Sequence, residues 1–331
     1  MIPSRVEPPG LNQRAHLIAR AFRKSRVIMG IRRKKLASFA LIGIALFYLA
    51  GFVGFLDSVG LPILPYDPIE TKVSERYMEP SISHPFGTDE LGRDMMVRVI
   101  YAMTTSSMIS ALVILGGGIF INISLALISG YYGGWRDSLI VKVGETLSGV
   151  PTLILLIVIT ASVGPGYKDF VAKTAEVIHW EWVARSGIAE IFLLFIVVSL
   201  ISWVGSVFVL RSRISVLRES GFVESARALG ASDARIMFWH ILPNLMGLIA
   251  LGLSSLLAIS IGAEIGLSYL GLGIKSPNPS FGIMFYSLTI ADLQNHLYLF
   301  IPPAVIVTSV LFMSWMLGDA LVSIVESKEG E

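Results

Sequence analysis

Six long runs without a charged residue constrain this chain more than any other feature of its sequence. A helix that crosses the roughly 30 Å apolar core of a bilayer needs about 20 apolar residues. Because lipid offers no hydrogen bonds, each crossing segment must satisfy its own backbone as a helix. The sequence therefore predicts an all-α polytopic membrane protein with six transmembrane helices. The runs are Leu36–Leu56, Val99–Ile128, Thr146–Tyr167, Ile191–Leu210, Ile241–Ala263 and Leu297–Gly318.

The composition excludes an ordinary soluble protein. Apolar residues make up 54% of the 331-residue chain and charged residues only 15%, whereas soluble domains carry about 25% charged residues. The chain has no cysteine, which excludes disulfides, thiol nucleophiles and cysteine-ligated metals. No cleavable signal peptide is expected, since the first apolar run starts at Leu36 and is long enough to remain as a span.

The distribution of positive charge predicts the orientation. Eighteen of the 26 Lys and Arg residues lie in the two terminal segments or in the loops after the second and fourth runs. The positive-inside rule places such segments in the cytoplasm. We therefore expect a multi-pass cell (plasma) membrane protein with both termini cytoplasmic and with loops 57–98, 168–190 and 264–296 outside.

The basic N-terminal segment has two compatible interpretations. It can anchor the first span by its charge alone. It can also form an amphipathic helix on anionic lipid, since Leu17, Ala21, Ile28 and Ile31 fall near one helical face.

Residues 211–243 form the longest polar stretch on the predicted cytoplasmic side and contain two short helical patterns. The first pattern covers Ile214–Leu229, with Phe222, Ala226 and Leu229 on one face. Gly230 can end this helix, because glycine accepts a positive φ without steric cost.

The second pattern begins at Ser232, which can cap a helix whose first turn holds Asp233. Residues Ile236 to Trp239 are consecutive and therefore face all round the helix. We expect some of them to pack on the membrane domain and some on a partner. Pro243 marks the return into the membrane.

The spacing in this loop resembles a known motif. Glu224-Ser225-Ala226, Gly230 four residues later and Leu242-Pro243 are similar to the E-A-A loop of permease subunits of ATP-binding-cassette importers. Two positions depart from the motif, Ser225 in its second place and His240 where isoleucine is expected. The resemblance implies that the loop docks on an ATPase subunit. The implied coupling residues are Glu224, Ser225, Ala226, Gly230, Ala231, Ser232, Asp233, Ile236, Trp239, Leu242 and Pro243.

Three further segments resemble the dipeptide/oligopeptide type of these permeases, the C-type member of the pair. They are H-P-F-G-T-D-E-L-G-R-D at 84–94, G-Y-Y-G-G at 130–134 and L-S-Y-L-G-L-G at 267–273. The resemblance spans roughly residues 84–325 and implies the type I importer permease fold. It also implies a peptide pathway shared with a second permease subunit, two ABC ATPase subunits, an extracellular solute-binding protein and no nucleic acid.

The chain divides accordingly into four predicted parts. Residues 1–35 form a cytoplasmic basic segment and 36–98 the first transmembrane helix with its external loop. Residues 99–320 form the permease domain, and 321–331 a cytoplasmic tail.

The sequence lacks the G-x-x-x-x-G-K-[ST] phosphate loop. We therefore expect no enzymatic activity and no cofactor on this chain, with ATP and Mg bound by partner subunits. Two alternatives remain open. The same machinery can import oligosaccharides, or the chain can be a self-contained secondary transporter or channel, which would need charged or broken helices at the midplane.

Other polar residues carry weaker expectations. Glu264 at the outer end of span five is either a gate residue or a structural carboxylate satisfied by neighbouring donors. Asp89, Arg93 and Asp94 form either an extracellular gate or a structural turn, in which Asp94 and Arg93 pair or cap the start of the second span. Their spacing predicts no metal site. The external loop at 166–187 contains His179, Trp180, Glu181 and Trp182, which suit either an interfacial belt or contact with a binding protein or substrate.

Overall fold

The computed structural model describes residues 35–177, 179 and 187–326, and these form a helical bundle. The amphipathic N-terminal pattern, Trp180 to Trp182 and residues 327–331 of the tail lie outside the described residues. Six of the helices are long and apolar enough to cross a membrane, which confirms the predicted six spans. The helices are α1 (Lys35–Ser58), α2 (Met95–Tyr132), α3 (Gly134–Ser148), α4 (Thr152–Val177), α5 (Ile188–Arg218), α6 (Gly221–Ala228), α7 (Asp233–Tyr269), α8 (Phe281–Tyr286), α9 (Ile290–Asn295) and α10 (Ile301–Glu326).

The spans extend beyond the uncharged runs. Helix α4 continues to Val177, so residues 168–177 are helical and not part of a loop as predicted. Lys168 in this extension forms a 2.9 Å ion pair with Glu190 in the first turn of α5. A helix can thus carry charges past the apolar layer when they are paired, and a count of uncharged residues underestimates its length.

Two spans begin at proline. Pro151 lies directly before Thr152, where α4 starts, and residues 134–148 form the separate helix α3. Pro302 and Pro303 lie in the first turn of α10. Proline is tolerated there because the first backbone N–H groups of a helix have no partner within it.

Three apolar cores hold the described bundle together, one of them around α6 and two among the other helices. Of these two, one joins α1, α2, α7, α8 and α10, with Phe47, Ile261 and Phe281 among its buried members. The other joins α2, α4, α5 and α7 around Ile109, Leu194 and Leu256. Helix α1 therefore packs in the same core as helices of the predicted permease domain.

Small residues let α1 approach α2 closely. Gly51 is buried, and its carbonyl accepts a 2.8 Å hydrogen bond from the Thr104 hydroxyl. A Cβ added to Gly51 would lie 2.9 Å from the Met103 carbonyl oxygen and would also meet the Ser107 hydroxyl. Because the carbonyl belongs to the backbone, it cannot turn away from the added methyl group.

We therefore expect Gly51→Ala to force α1 away from α2. Such overpacking costs typically 1–3 kcal/mol, so the melting temperature of the purified protein in detergent should fall by several degrees. The matched control is Gly262→Ala in α7, where an added Cβ meets no atom within 4 Å. Equal melting temperatures for the two variants would contradict the close packing of α1 and α2.

Candidate functional site

Helix α6 and the first turns of α7 form a compact unit at one end of the bundle, here called the α6 unit (residues 219–241). Helix α5 runs on to Arg218, and the chain then breaks at Glu219 and Ser220 before α6 begins at Gly221. The predicted continuous helix over Ile214–Leu229 is therefore wrong. Its first part belongs to the membrane helix, and its second part is α6.

The turn after α6 has the predicted glycine. Gly230 has φ +81°, and its N–H donates to the Arg227 carbonyl at 3.0 Å. The N–H of Ala231 donates to the Ala226 carbonyl at 3.0 Å. These two bonds define a Schellman motif. The sharp turn brings α7 back against α6, so the two helices act as one unit.

The start of α7 also follows the prediction in part. The Ser232 hydroxyl accepts a hydrogen bond from the Arg235 N–H and caps the helix. The expected short second helix is instead the beginning of span five. It passes through a π-helical stretch at Ile236–Ile241 and a 3₁₀ stretch at Leu242–Leu245, where Pro243 lies, before regular α-helix resumes at Met246.

The inner face of the α6 unit packs on the bundle. Val223 and Ile236 are fully buried, and Ala226 and Met237 are nearly so. They share one apolar core with the ends of α2 and α5. Of the three residues predicted to share a face, only Ala226 is buried, and the buried stripe of α6 is Val223 and Ala226.

The outer face carries apolar side chains that no part of the described chain covers. Leu229 is 89% exposed and Trp239 is 76% exposed, and Phe222 and Phe238 are exposed as well. Single exposed apolar residues are common, but a cluster at the tip of a structured unit is typical of an interaction surface. The expected division of residues 236–239 is thus confirmed on its inner side.

Tyr131 at the end of α2 ties the α6 unit to the bundle. Its hydroxyl donates a 2.7 Å hydrogen bond to the Asp233 carboxylate and accepts one from Arg227 at 3.5 Å. Its carbonyl accepts a 3.2 Å bond from Arg218. One residue therefore contacts the end of α5, helix α6 and the start of α7.

The neighbouring residues bring α2 and α5 together. A Cβ added to Gly130 would lie 2.7 Å from Ile214 Cβ and 2.8 Å from the Arg211 carbonyl oxygen, so only glycine fits there. Arg211 also forms an ion pair with Asp137 of α3. The hydrogen bonds from Arg211 hold the pKa of the Asp137 carboxyl below its usual value, despite partial burial. This end of the bundle is therefore fixed by charge as well as by packing.

Three other residues of the predicted coupling loop lie away from the contacts of Tyr131. Glu224 is exposed in the first turn of α6, where a carboxylate favours the helix dipole. Ser225 is exposed and bonds back to the Gly221 carbonyl. Leu242 packs partly against the core. The brace is provided by Tyr131 and Asp233. Tyr131 was missed because its role depends on residues about a hundred positions away.

The opposite end of the bundle contains the second predicted cluster. Asp94 caps α2 by accepting from the Val97 N–H at 2.8 Å, as expected. Its partner is His84, whose Nδ1 lies 2.8 Å away, and not Arg93. The Arg93 guanidinium donates instead to Asp89 at 2.7 Å. These buried contacts hold residues 84–94 against the start of α2.

Glu264 is fully buried inside the chain. Its carboxylate accepts hydrogen bonds from Ser106 of α2 at 2.9 Å and from Ser268 of α7 at 3.1 Å. The Ser268 hydroxyl in turn accepts from the Ile274 N–H at 3.0 Å. This geometry favours the structural interpretation of Glu264, because the carboxylate joins two spans and the segment that follows them.

The brace at Tyr131 leads to a direct test. Tyr131→Phe removes the hydroxyl bond to Asp233 and should loosen the α6 unit by about 1–2 kcal/mol. Backbone amides in residues 219–241 should then exchange with deuterium roughly five- to thirtyfold faster. The matched control is Tyr132→Phe, because the Tyr132 ring is exposed. Equal exchange rates in the two variants would show that the Tyr131 hydroxyl does not hold the α6 unit against the bundle.

Comparison with known proteins gives consistent similarities. A family model described as the binding-protein-dependent transport system inner membrane component matches residues 122–329. The chain is 27% identical over 297 residues to the dipeptide transport system permease protein DppC of Bacillus subtilis (strain 168). This alignment covers 90% of this chain and 84% of that protein. It is 28% identical over 302 residues to the oligopeptide transport system permease protein OppC of Mycobacterium bovis, with 91% and 93% covered. It is 30% identical over 262 residues to the glutathione transport system permease protein GsiD of Pectobacterium atrosepticum, with 78% of each covered.

Proposed function

The chain belongs to the family of inner membrane components of binding-protein-dependent transport systems, and on this premise we propose that it is a permease subunit of an ATP-driven peptide importer. The cargo class rests on the relatives, whose names specify dipeptides, oligopeptides and glutathione. The observation that carries the coupling role is the α6 unit, which packs against the bundle on its inner side and exposes large apolar side chains on its outer side.

The α6 unit is the docking element for an ATPase subunit. Its orientation toward the cytoplasm is supported by the excess of Lys and Arg in the terminal segments and in the loops after the second and fourth apolar runs. Leu229 and Trp239 are the anchors we assign to the contact, because they are the most exposed apolar side chains of the unit and because Trp is enriched among the residues that dominate binding energy.

The remaining machinery lies on other chains. A second permease subunit completes the pathway, two ATPase subunits bind ATP and Mg, and an extracellular binding protein delivers the peptide. Closure of the ATPases displaces the α6 unit, and Tyr131 passes this displacement to α2 and α5. The chain itself carries out no hydrolysis in this proposal.

The docking surface can be tested by truncating its anchors. Leu229→Ala and Trp239→Ala should each weaken co-purification of the ATPase subunits with the permease pair, and together by at least tenfold, because anchor truncation typically costs more than about 1 kcal/mol. The control is Ile82→Ala, an exposed apolar residue at the opposite end of the bundle. Wild-type ATPase binding by the double variant would contradict the assignment of this surface.

The subunit role can be tested against a self-contained transporter. Liposomes that contain this chain alone should take up no peptide with any ion gradient. Liposomes that also contain the partner subunits should take up peptide only when ATP is present on the side of the membrane where the α6 unit lies. Uptake by the chain alone would favour the secondary transporter and reject the proposal.

A further inference from the structure

Helix α2 is not a regular α-helix where it crosses the middle of the bundle. A π-helical stretch runs from Val113 to Asn122, and such stretches are rare and occur frequently at functional sites. A π-helix forms hydrogen bonds over five residues and an α-helix over four. Conversion of the stretch to α-helix would therefore rotate the part of α2 that follows it, including Tyr131.

Glycines of this stretch lie directly against the neighbouring helices. A Cβ added to Gly117 would lie 2.8 Å from the Ser199 hydroxyl oxygen of α5, and a Cβ added to Gly118 would lie 2.7 Å from Leu253 of α7. Glycine has no side chain that could interlock with the facing helix. The cytoplasmic part of α2 can therefore turn against α5 and α7 without moving a large side chain at these two positions.

Buried polar oxygens without a partner are concentrated beside the same stretch. Among the residues that the structure describes, five buried side-chain oxygens have no hydrogen-bond partner, and four of them belong to Asn122 of α2, Thr160 of α4, and Ser199 and Ser202 of α5. Protein atoms enclose each oxygen, so neither water nor a solute reaches it. Because an unpaired buried polar group is costly, we expect a second position of these helices in which some of the oxygens are paired.

The two serines of α5 differ from other serines of the spans. Ser110, Ser254 and Ser255 each donate to the carbonyl four residues earlier, at 2.7, 2.9 and 3.2 Å. This bond to the helix backbone is the local alternative that a serine has within a helix. Ser199 and Ser202 do not form it, so their hydroxyl groups can donate to another helix after a small movement.

A cavity leaves room for such a movement. It has a volume of about 620 Å³ and lies between α2, α5 and α7, and both Asn122 and Ser202 are among its lining residues. Close-packed interiors resist displacement, whereas helices beside a cavity can shift into it. None of the described residues that line the cavity is charged, so the movement buries no additional charge.

We propose that the π-helical stretch Val113–Asn122 is a hinge at which the cytoplasmic part of α2 turns against α5, and that in the second position the Ser202 hydroxyl donates a hydrogen bond to Asn122 Oδ1. The assignment rests on the proposed function, because displacement of the α6 unit by the ATPase subunits turns this part of α2 through the contacts of Tyr131. Asn122 and Ser202 are thus positioning residues, whose bond stabilises the second position and is absent from the first.

The test measures how long the second position persists in the complete reconstituted complex. ATP with vanadate, an analogue of the transferred phosphate, traps the closed ATPase subunits, and the release of labelled ADP reports the lifetime of the trapped state. The variants are Asn122→Leu, Ser202→Ala and the two combined. The control is Ser255→Ala, whose hydroxyl is in a residue of the same cavity wall but already bonds to the Leu251 carbonyl. Melting temperatures without nucleotide are measured in parallel.

Each single variant should release ADP about fivefold faster than the wild type, the effect expected for one lost hydrogen bond. The combined variant should also be about fivefold faster, and not about twenty-five-fold, because both substitutions remove the same bond. Without nucleotide the melting temperatures should be unchanged or higher, since each substitution removes an unpaired buried group. Ser255→Ala should release ADP at the wild-type rate.

Three results would overturn the hinge. They are wild-type ADP release by both single variants, an effect of the combined variant that is the product of the two single effects, and a lowered melting temperature of either single variant without nucleotide. A wild-type complex in which the ATPase subunits do not bind this chain, or trap no nucleotide, would instead reject the proposed function itself, which separates the two failures.

Discussion

The rest of this structure depends on the requirement that a helix in lipid must satisfy its own backbone. This requirement makes the six spans helical, and it confines irregular backbone and unpaired polar groups to the ends of the bundle or to protein-enclosed positions. The π-helical stretch before Asn122 and the 3₁₀ stretch around Pro243 both lie where other helices surround or adjoin them. The polar features are therefore concentrated at three places: the α6 unit, the cluster around Asp94, and the interior of the bundle.

The α6 unit shows how a short segment can act as a rigid element. Eight residues of helix cannot hold their own conformation in water. Here the Schellman turn at Gly230 joins α6 to α7, and Val223 and Ile236 bury one side against α2 and α5. Tyr131 then connects all the elements at this end. The α6 unit is therefore joined to the membrane helices by packed and hydrogen-bonded residues of α2, α5 and α7.

The sequence was sufficient for features that depend on neighbours in the chain. The uncharged runs predicted the spans, and Gly230 and Ser232 had the local chemistry of a helix stop and a cap. The sequence was insufficient where the hydrogen-bond or ion-pair partner of a side chain depends on the three-dimensional fold. Asp94 could cap α2 by position alone, but its contact with His84 and the pairing of Arg93 with Asp89 depend on how residues 84–94 fold. The end of α5 at Arg218 was missed because paired charges allow a helix to continue beyond the apolar layer.

Two polar residues buried among the membrane helices illustrate how structure separates roles that composition cannot. Glu264 carries a potential charge, yet serines from α2 and α7 supply its hydrogen bonds, so its burial is compatible with a purely structural link. Asn122 is neutral and less costly to bury, yet its carboxamide oxygen is buried and unpaired within the described chain. A charge in an apolar run therefore does not by itself mark a functional residue, because hydroxyl groups on neighbouring helices can satisfy a buried carboxyl group that the sequence presents alone.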